Sequence, residues 1–288
     1  MTRILRVLAS NPGPFTLEGT NTWVVGAAPS LVIDPGPDDA SHLLAVLEEA
    51  EPVAAILLTH RHPDHAPGSD RLAEAARAPV YAFRPERGER PLHDGDVVEA
   101  GVTRVRAVHT PGHTADHVCF FMDGQRFLFT GDAVLGRGTS IVDPPEGDMT
   151  EYVASLQRLG ELQPRVIYPG HGPVVFDAGA KLEEYVAHRA ARERQVLAAL
   201  KDARRRPQDL VPEIYGGEVE PSMFPAAARS VLAHLLKLER EGKVSRTGGT
   251  EPRFEVVTPR ACRRCGRPAA PGSTLCNRCA VAALQERP

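Results

Sequence analysis

The sequence predicts an α+β fold: a sheet core with helices outside, followed by a small winged-helix-like unit and a cysteine module. Three observations carry this. Over roughly the first two thirds of the chain, short β-like apolar runs alternate with amphipathic stretches and turn signals. From 59 to 68 the chain reads THRHPDHAPG, straight after the apolar run AAILL. From 261 to 279 it reads ACRRCGRPAAPGSTLCNRC, with two C-x2-C pairs. A chain of 288 residues, 42% hydrophobic and 25% charged, can bury a full core and carry an appended module.

Taken in order, TWVVG (22–26) and SLVIDPG (30–36) are predicted as neighbouring strands, the second closed by an Asp-Pro-Gly turn. Residues 38–50 read as an amphipathic helix with Leu43, Leu44, Val46 and Leu47 on the buried side. AAILLT (54–59) is apolar as in a strand covered on both faces. Further strands are predicted at VTRVRAVHT (102–110), HVCFFM (117–122) and RFLFTGD (126–132), the last two joined by the hairpin signal Asp123-Gly124. A helix over 148–162 leads to a strand at PRVIYPG (164–170), then to a long helix over 180–206 rich in charge pairs four residues apart.

Past Arg204-Arg205-Arg206-Pro207 the pattern changes. A short helical segment at 210–215 precedes a helix over 224–242, with Val231, Leu232, Leu235, Leu236 and Leu238 at core spacing, and a glycine-turned hairpin over 245–258. Helix, helix and β-wing outline a winged helix-turn-helix unit. The implied organisation is a large first domain over 1–180, a connecting helix over 181–206, a winged-helix-like domain over 207–258 and a cysteine module over 259–288.

The start, MTRILRVLASNPGPF, is too briefly apolar for a signal peptide or membrane span, so the expected location is the cytoplasm, without membrane association. There, clustered cysteines bind metal more often than they form disulfides. The net charge of −3 is uneven. Residues 1–180 hold 14 Lys+Arg against 24 Asp+Glu, net −10, whereas residues 181–288 hold 20 against 13, net +7. A basic second part would steer a polyanionic partner.

In THRHPDHAPG, His60 and His62 sit two apart, so in an extended segment both imidazoles point the same way, while Pro63-Asp64-His65 turns the next pair towards a second position. The remaining candidates follow strands: His113 in TPGHT, Asp132 in FTGDA and His171 in YPGHG, each preceded by a glycine that lets the backbone turn tightly. These seven positions imply two ions. His42 and His93 are expected to be solvated, His234 to be a packing or surface residue, His117 to support the ligands from behind, and Cys119 to be an inert buried thiol.

The pattern H-x-H-x-D-H followed by H, D and H resembles the metallo-β-lactamase superfamily over roughly residues 5–180. The resemblance implies a four-layer αββα sandwich with the metals at one edge. It also implies that His60, His62 and His113 hold one zinc, that Asp64, His65 and His171 hold the other, and that Asp132 bridges them. Asp34 matches the acid at the end of an early strand that stands behind the ligands. Asp132 occupies the position where the best-known lactamases place a cysteine, which disfavours an antibiotic hydrolase. The glutamate of the di-iron flavoprotein branch is also lacking, so zinc is preferred to iron, with manganese admitted. Two such ions would generate a hydroxide at neutral pH, with Asp64 and Asp132 as the catalytic carboxylates and Asp64 a candidate proton acceptor.

A closer resemblance, over nearly 260 residues, is to the lactamase-β-like endoribonuclease group, carried by NPGPFTLEGTNTWVVG (11–26), TPGHTADHVCF (110–120), YPGHGPV (168–174), HRAARERQVL (188–197) and LLKLEREGKV (235–244). It implies cleavage of single-stranded RNA by a bridging hydroxide; independently, the helix and winged unit carry Arg189, Arg192, Arg194, Arg204, Arg205 and Arg206, which are candidate phosphate contacts or else a solvated helix face with glutamate partners. Two alternatives are carried: a glyoxalase II-like thioesterase or other small-molecule ester hydrolase, and a nucleic-acid-binding regulatory protein with a scaffold metallo domain. An aromatic content of 5% argues against an extensive base-stacking platform. Cys262, Cys265, Cys276 and Cys279 form a tetrahedral thiolate set for one structural zinc, ringed by Arg263, Arg264, Arg267 and Arg278. A homodimer is left open.

Overall fold

A computed structural model describes residues 2–50, 52–86, 88–201, 203–249, 251–257, 262–267, 269 and 275–285. The first sheet has six strands in sequence order: β1 (Ile4–Leu8), β2 (Asn21–Val25), β3 (Ser30–Ile33), β4 (Val53–Leu57), β5 (Val80–Ala82) and β6 (Arg90–Pro91). Its first three strands are antiparallel and β3 to β6 run parallel. The second sheet comprises β7 (Val97–Ala100), β8 (Thr103–His109), β9 (Val118–Met122), β10 (Phe127–Gly131) and β11 (Val166–Pro169), arranged β11-β10-β9-β8-β7. Only β10 and β11 are parallel there.

Each sheet is covered on both faces, which explains why β2 and β9 are buried at every position and read as unbroken apolar runs. Trp23, Ile33 and Leu57 of the first sheet meet Val105, Phe120 and Phe129 of the second in the central layer. Outside the first sheet lie α1 (Ala40–Ala50) and α2 (Ser69–Ala76), through Leu43, Val46 and Leu72; outside the second lie α3 (Met149–Glu161) and α4 (Ala178–Ala199), through Tyr152, Leu156, Leu182 and Tyr185. The result is the four-layer αββα order. Asp148 starts α3 by accepting from the Thr150 and Glu151 amides at 2.8 and 3.2 Å, satisfying donors that a helix end leaves free.

The C-terminal unit consists of α5 (Pro207–Tyr215), α6 (Phe224–Arg240) and a hairpin of β12 (Val244–Arg246) and β13 (Phe254–Val256). Its core joins Leu210, Ile214, Val231, Leu235 and Phe254 to Val196 and Leu200 from the end of α4. The helix expected over 180–206 stops at Ala199, because Arg205 leaves the helical path to bridge Phe254 and Arg206 caps α5 ahead of Pro207. The last turns of α4 belong to the second core, so 181–206 is not a bare connector.

Two other expectations are corrected. Leu44 is 60% exposed, because the apolar stripe of α1 runs through Leu43, Val46 and Ala50. His42 is buried and bonded to the Thr22 hydroxyl at 2.9 Å. Of the tail, Cys262, Cys276 and Cys279 cluster with Leu275, and α7 (Asn277–Gln285) follows. The residues between the two cysteine pairs lie largely outside the described residues. No helix among the described residues is long and apolar enough to cross a membrane.

Candidate metal centre

All the site loops leave the carboxyl ends of strands: the loop after β4 carries His60 to His65, and those after β8, β10 and β11 carry His113, Asp132 and His171. Strand ends converging at one edge of a sheet are the usual place for a site in such layered folds. Two glycines make the convergence possible. Gly131 has φ +44°, and a Cβ there would lie 2.4 Å from Thr59 Oγ1; a Cβ on Gly170 would lie 2.8 Å from Asp132 Oδ1 and 2.7 Å from His65 Cε1.

The seven side chains meet as two sets, His60, His62, His113 and Asp132, and Asp64, His65 and His171, each with donor atoms within 4.8 Å of one another. His62 Nδ1 lies 3.0 Å from both His60 Nε2 and His113 Nε2, and His65 Nε2 lies 3.1 Å from His171 Nε2. Asp132 stands between the sets, with Oδ1 3.4 and 3.3 Å from His65 and His171 and Oδ2 3.7 Å from His113. Asp64 Oδ2 lies 3.1 Å from His171 Nε2.

The outer nitrogens are held by acceptors. His65 Nδ1 donates to Asp34 at 2.9 Å, His113 Nδ1 to the Ile141 carbonyl at 2.8 Å, His171 Nδ1 to the Gly19 carbonyl at 3.2 Å and His60 Nδ1 to the Thr59 hydroxyl at 3.0 Å. Thr59 in turn donates through its hydroxyl and amide to Asp34 at 2.7 and 2.8 Å. Fixing one ring nitrogen this way aims the other inward as a lone-pair donor, as metal-ligating histidines require. Asp132 Oδ1 is buried without a well-aligned hydrogen-bond donor. Converging imidazole lone pairs around such an oxygen fit divalent cations.

The electrostatics split the histidines of the two sets. Burial holds His60 well below the ordinary histidine range and lowers His113. Burial acts the same way on His65 and His171, but Asp132 and Asp34 outweigh it at His65 and hold it well above that range, while Asp132 and Asp64 raise His171 to about 9. Against its own burial, Asp132 is held well below the carboxylate range by His65 and His171. Protons kept there by carboxylates are the ones a bound cation would displace.

His117 is buried behind the site: its Nε2 accepts from the Asp132 amide at 3.2 Å and its Nδ1 donates to Thr110 at 2.9 Å. Cys119 is buried, with burial pushing its thiol up to about 12. Unread from the sequence was Thr20, whose hydroxyl faces Asp64 Oδ2 at 3.4 Å and whose amide donates to Asn11 Oδ1 at 2.9 Å. The motif GTN around it was visible, but nothing local says which carboxylate it would meet.

The mouth of the site opens into a cavity of about 490 Å³ whose wall includes Phe15, Leu17, Leu135, Ile141, Val219 and Met223. The arginines expected to contact phosphates do not line a basic track. Arg189 and Arg192 are buried, Arg192 being closed by Glu218. Arg204, Arg205 and Arg206 pair with Glu255, Glu213 and Asp209 at 2.7, 2.6 and 2.9 Å. Arg194 is exposed. In the tail, one sulfur from each of Cys262, Cys265, Cys276 and Cys279 lies within 4.8 Å of the others, a donor set that fits a closed tetrahedral metal site.

Residues 15–89 and 81–171 match the metallo-beta-lactamase superfamily, and residues 207–251 match the beta-lactamase associated winged helix domain. The chain is 35% identical to the lactamase-like protein adaB of Aspergillus niger, over 90% of this chain and 87% of that one. It is 36% identical to an atrochrysone carboxyl ACP thioesterase of Aspergillus chevalieri, over 84% and 83%. A metallo-beta-lactamase family protein of Thermus thermophilus, 27% identical, superposes over 88% of this chain and 98% of its own with a TM-score of 0.74. With the two-set histidine and aspartate centre at the edge of an αββα sandwich and a winged helix behind it, the chain belongs to the metallo-beta-lactamase superfamily of hydrolases.

Proposed function

We propose that this protein is a dinuclear metal-dependent hydrolase of thioesters or esters with an apolar acyl part. The observation that carries the reading is the mostly apolar cavity at the mouth of the seven-residue centre, together with the pairing of Arg192, Arg204, Arg205 and Arg206, four of the six arginines that RNA contact would draw on. Similarity to a chain named as an acyl-carrier-protein thioesterase points the same way.

His60, His62 and His113 would hold one ion, Asp64, His65 and His171 the other, with Asp132 between them; the nitrogen and oxygen donors suit zinc. Two such ions supply Lewis acidity and a water activated near neutral pH. The chain's own contributions are positional. Asp34 and the Ile141 and Gly19 carbonyls keep the ligand imidazoles in the tautomer that presents a lone pair inward. Asp64, partly exposed at the cavity mouth, offers Oδ2 as the acceptor for the proton of the attacking water. The apolar wall excludes water from the acyl group and orients it. Cys262, Cys265, Cys276 and Cys279 would hold a separate structural ion, away from this chemistry.

The test sets straight-chain acyl thioesters beside an end-labelled, unstructured single-stranded RNA, using metal-loaded protein and a His62→Ala, Asp64→Ala variant. The expected result is thiol release by the wild type alone, with kcat/KM rising roughly fourfold, about 0.8 kcal/mol, per methylene that enters the cavity. Internal RNA cuts by the wild type, without thioester turnover, would overturn the reading in favour of an endoribonuclease.

A further inference from the structure

Six buried side-chain polar atoms among the described residues have no hydrogen-bond partner. Two of them, Asn21 Oδ1 and Asp132 Oδ1, belong to the metal centre and its surround. The other four sit on three basic residues of two packed helices: His188 Nδ1 and Arg189 Nε on α4, and both ring nitrogens of His234 on α6. Buried polar groups are ordinarily satisfied, so a concentration of orphaned nitrogens at one helix contact is unusual, and the Arg189 Nε–H, which can only donate, asks for a missing acceptor.

Arg189 is the member of this group that reaches the cavity wall. It is only 3% exposed, its guanidinium lies over the Tyr152 ring at 5.0 Å, and its Nη2 donates to the Ser140 carbonyl at 2.5 Å. No carboxylate of the described residues pairs with it. Its neighbours differ: Arg192 is closed by Glu218, and Arg137, the other guanidinium of the wall, pairs with Glu18 at 2.7 Å. A buried cation without a counterion is costly, and a bound anion would relieve that cost. Ser140 links this charge to the chemistry, since its hydroxyl donates to the Asp132 carbonyl at 2.5 Å.

We propose that the cavity wall at Arg189 is an anion subsite in which Arg189 pairs with a carboxylate carried by the substrate, separate from the ester or thioester group that is cut. The inference rests on the ester-hydrolase reading and narrows it: the substrate is a thioester or ester that combines an apolar segment with a second, anionic end. A carboxylate suits the site better than a phosphate. One guanidinium neutralises a monoanion and matches it with its planar fork, whereas a phosphate dianion would leave charge buried against Leu135, Ile141 and Met223. His188 and His234 add no charge to compete, since burial drops them to about 4 and about 3.

The carboxylate could belong to the acyl chain or to the leaving thiol, and matched substrates separate the two. Metal-loaded wild type, Arg189→Met and Arg189→Lys are assayed on thioesters of one chain length that carry a terminal carboxylate on the acyl side, on the thiol side or nowhere. One of the two anionic substrates is expected to outrun the neutral one on the wild type. On Arg189→Met the kcat/KM advantage of that substrate over the neutral one should shrink about 10- to 100-fold, beyond any loss the two share through the Ser140 contact, and Arg189→Lys should keep part of the preference. Equal losses on all three substrates, or none, would overturn the proposal. Calorimetric binding of straight-chain dicarboxylates against the matching monocarboxylates on the wild type covers the case in which Arg189→Met misfolds or no thioester is cut. Tighter binding of a dicarboxylate is expected, and no gain at any chain length rejects the subsite. Absence of thioester turnover alone instead removes the ester-hydrolase reading.

Discussion

Asp34 accepts three hydrogen bonds, from the Thr59 amide, the Thr59 hydroxyl and His65 Nδ1, in a left-handed backbone conformation with φ +50° that few residue types tolerate. Its job is tautomer control. In Asp34→Asn one of two conflicts is unavoidable. The amide nitrogen either faces the Thr59 amide, donor against donor, or faces His65 Nδ1 and pushes the ring proton to Nε2, where it blocks a metal. The expected outcome is a roughly 10- to 100-fold weaker affinity for one of the two ions with the other retained, read by competition against a chromophoric chelator. Two unchanged metal affinities would show that Asp34 is merely buried. At this scale the convergence of the seven side chains was legible because their signals are local: two histidines two apart, and histidine or aspartate directly after a glycine that ends a strand. Partners such as Thr20 for Asp64 and Ser140 for Arg189 were not legible, since 44 and 49 residues separate them and only the folded chain brings them together.

Among the elements, strands were read well because two-sided burial writes itself as unbroken apolar residues, and α4 was read least well because its buried face changes partner midway. Its first turns pack Leu182 and Tyr185 on the second sheet, and its last turns pack Val196 and Leu200 on the C-terminal unit. Arg189 and Arg192, at the crossing, are buried cations that charge patterning marks as surface. The crossing also holds a pH dependence. Burial, then Arg189 and Lys237, hold His234 down to about 3, and burial, then Arg189 and Arg192, hold His188 down to about 4, against 6.5 for a free histidine. Between these values the unfolded chain binds protons that the native chain refuses, so stability falls as pH falls. Urea midpoints are expected to drop steadily from about pH 6.5 towards pH 4, and His234→Leu should flatten that slope. An identical slope in His234→Leu would mean that acid weakens the protein elsewhere.

For the molecule as a whole, the net +7 of residues 181–288 marked a partner-binding half, but a charge sum is blind to pairing. Two of those seven charges meet carboxylates of the first 180 residues, and other cations pair within their own half. Arg240 pairs with Asp148 at 2.7 Å, Arg229 pairs with Asp143 and donates to the Pro144 carbonyl, and Lys237 and Lys243 share Glu193 at 2.6 and 3.1 Å. The first two clasp α6 to the edge of the catalytic layers, and α6 supplies Ala226, Ala227 and Ser230 to the cavity wall. Both arginines are about half exposed, so each pair should contribute at most about 1 kcal/mol to stability and be weakened by salt. Their larger effect is expected to be geometric, on how closely the winged unit approaches the cavity. An Arg229→Ala, Arg240→Ala double variant is therefore expected to melt close to the wild type. It should raise KM several-fold for a long-chain acyl thioester and leave the turnover of an acetyl thioester, too short to reach α6, unchanged. Added salt should raise the long-chain KM of the wild type towards that of the variant. If the double variant handles both chain lengths as the wild type does, α6 is a fixed wall held by the apolar contacts of Val231, Leu235 and Ala233 alone, and the ion pairs are ornaments of a surface already joined.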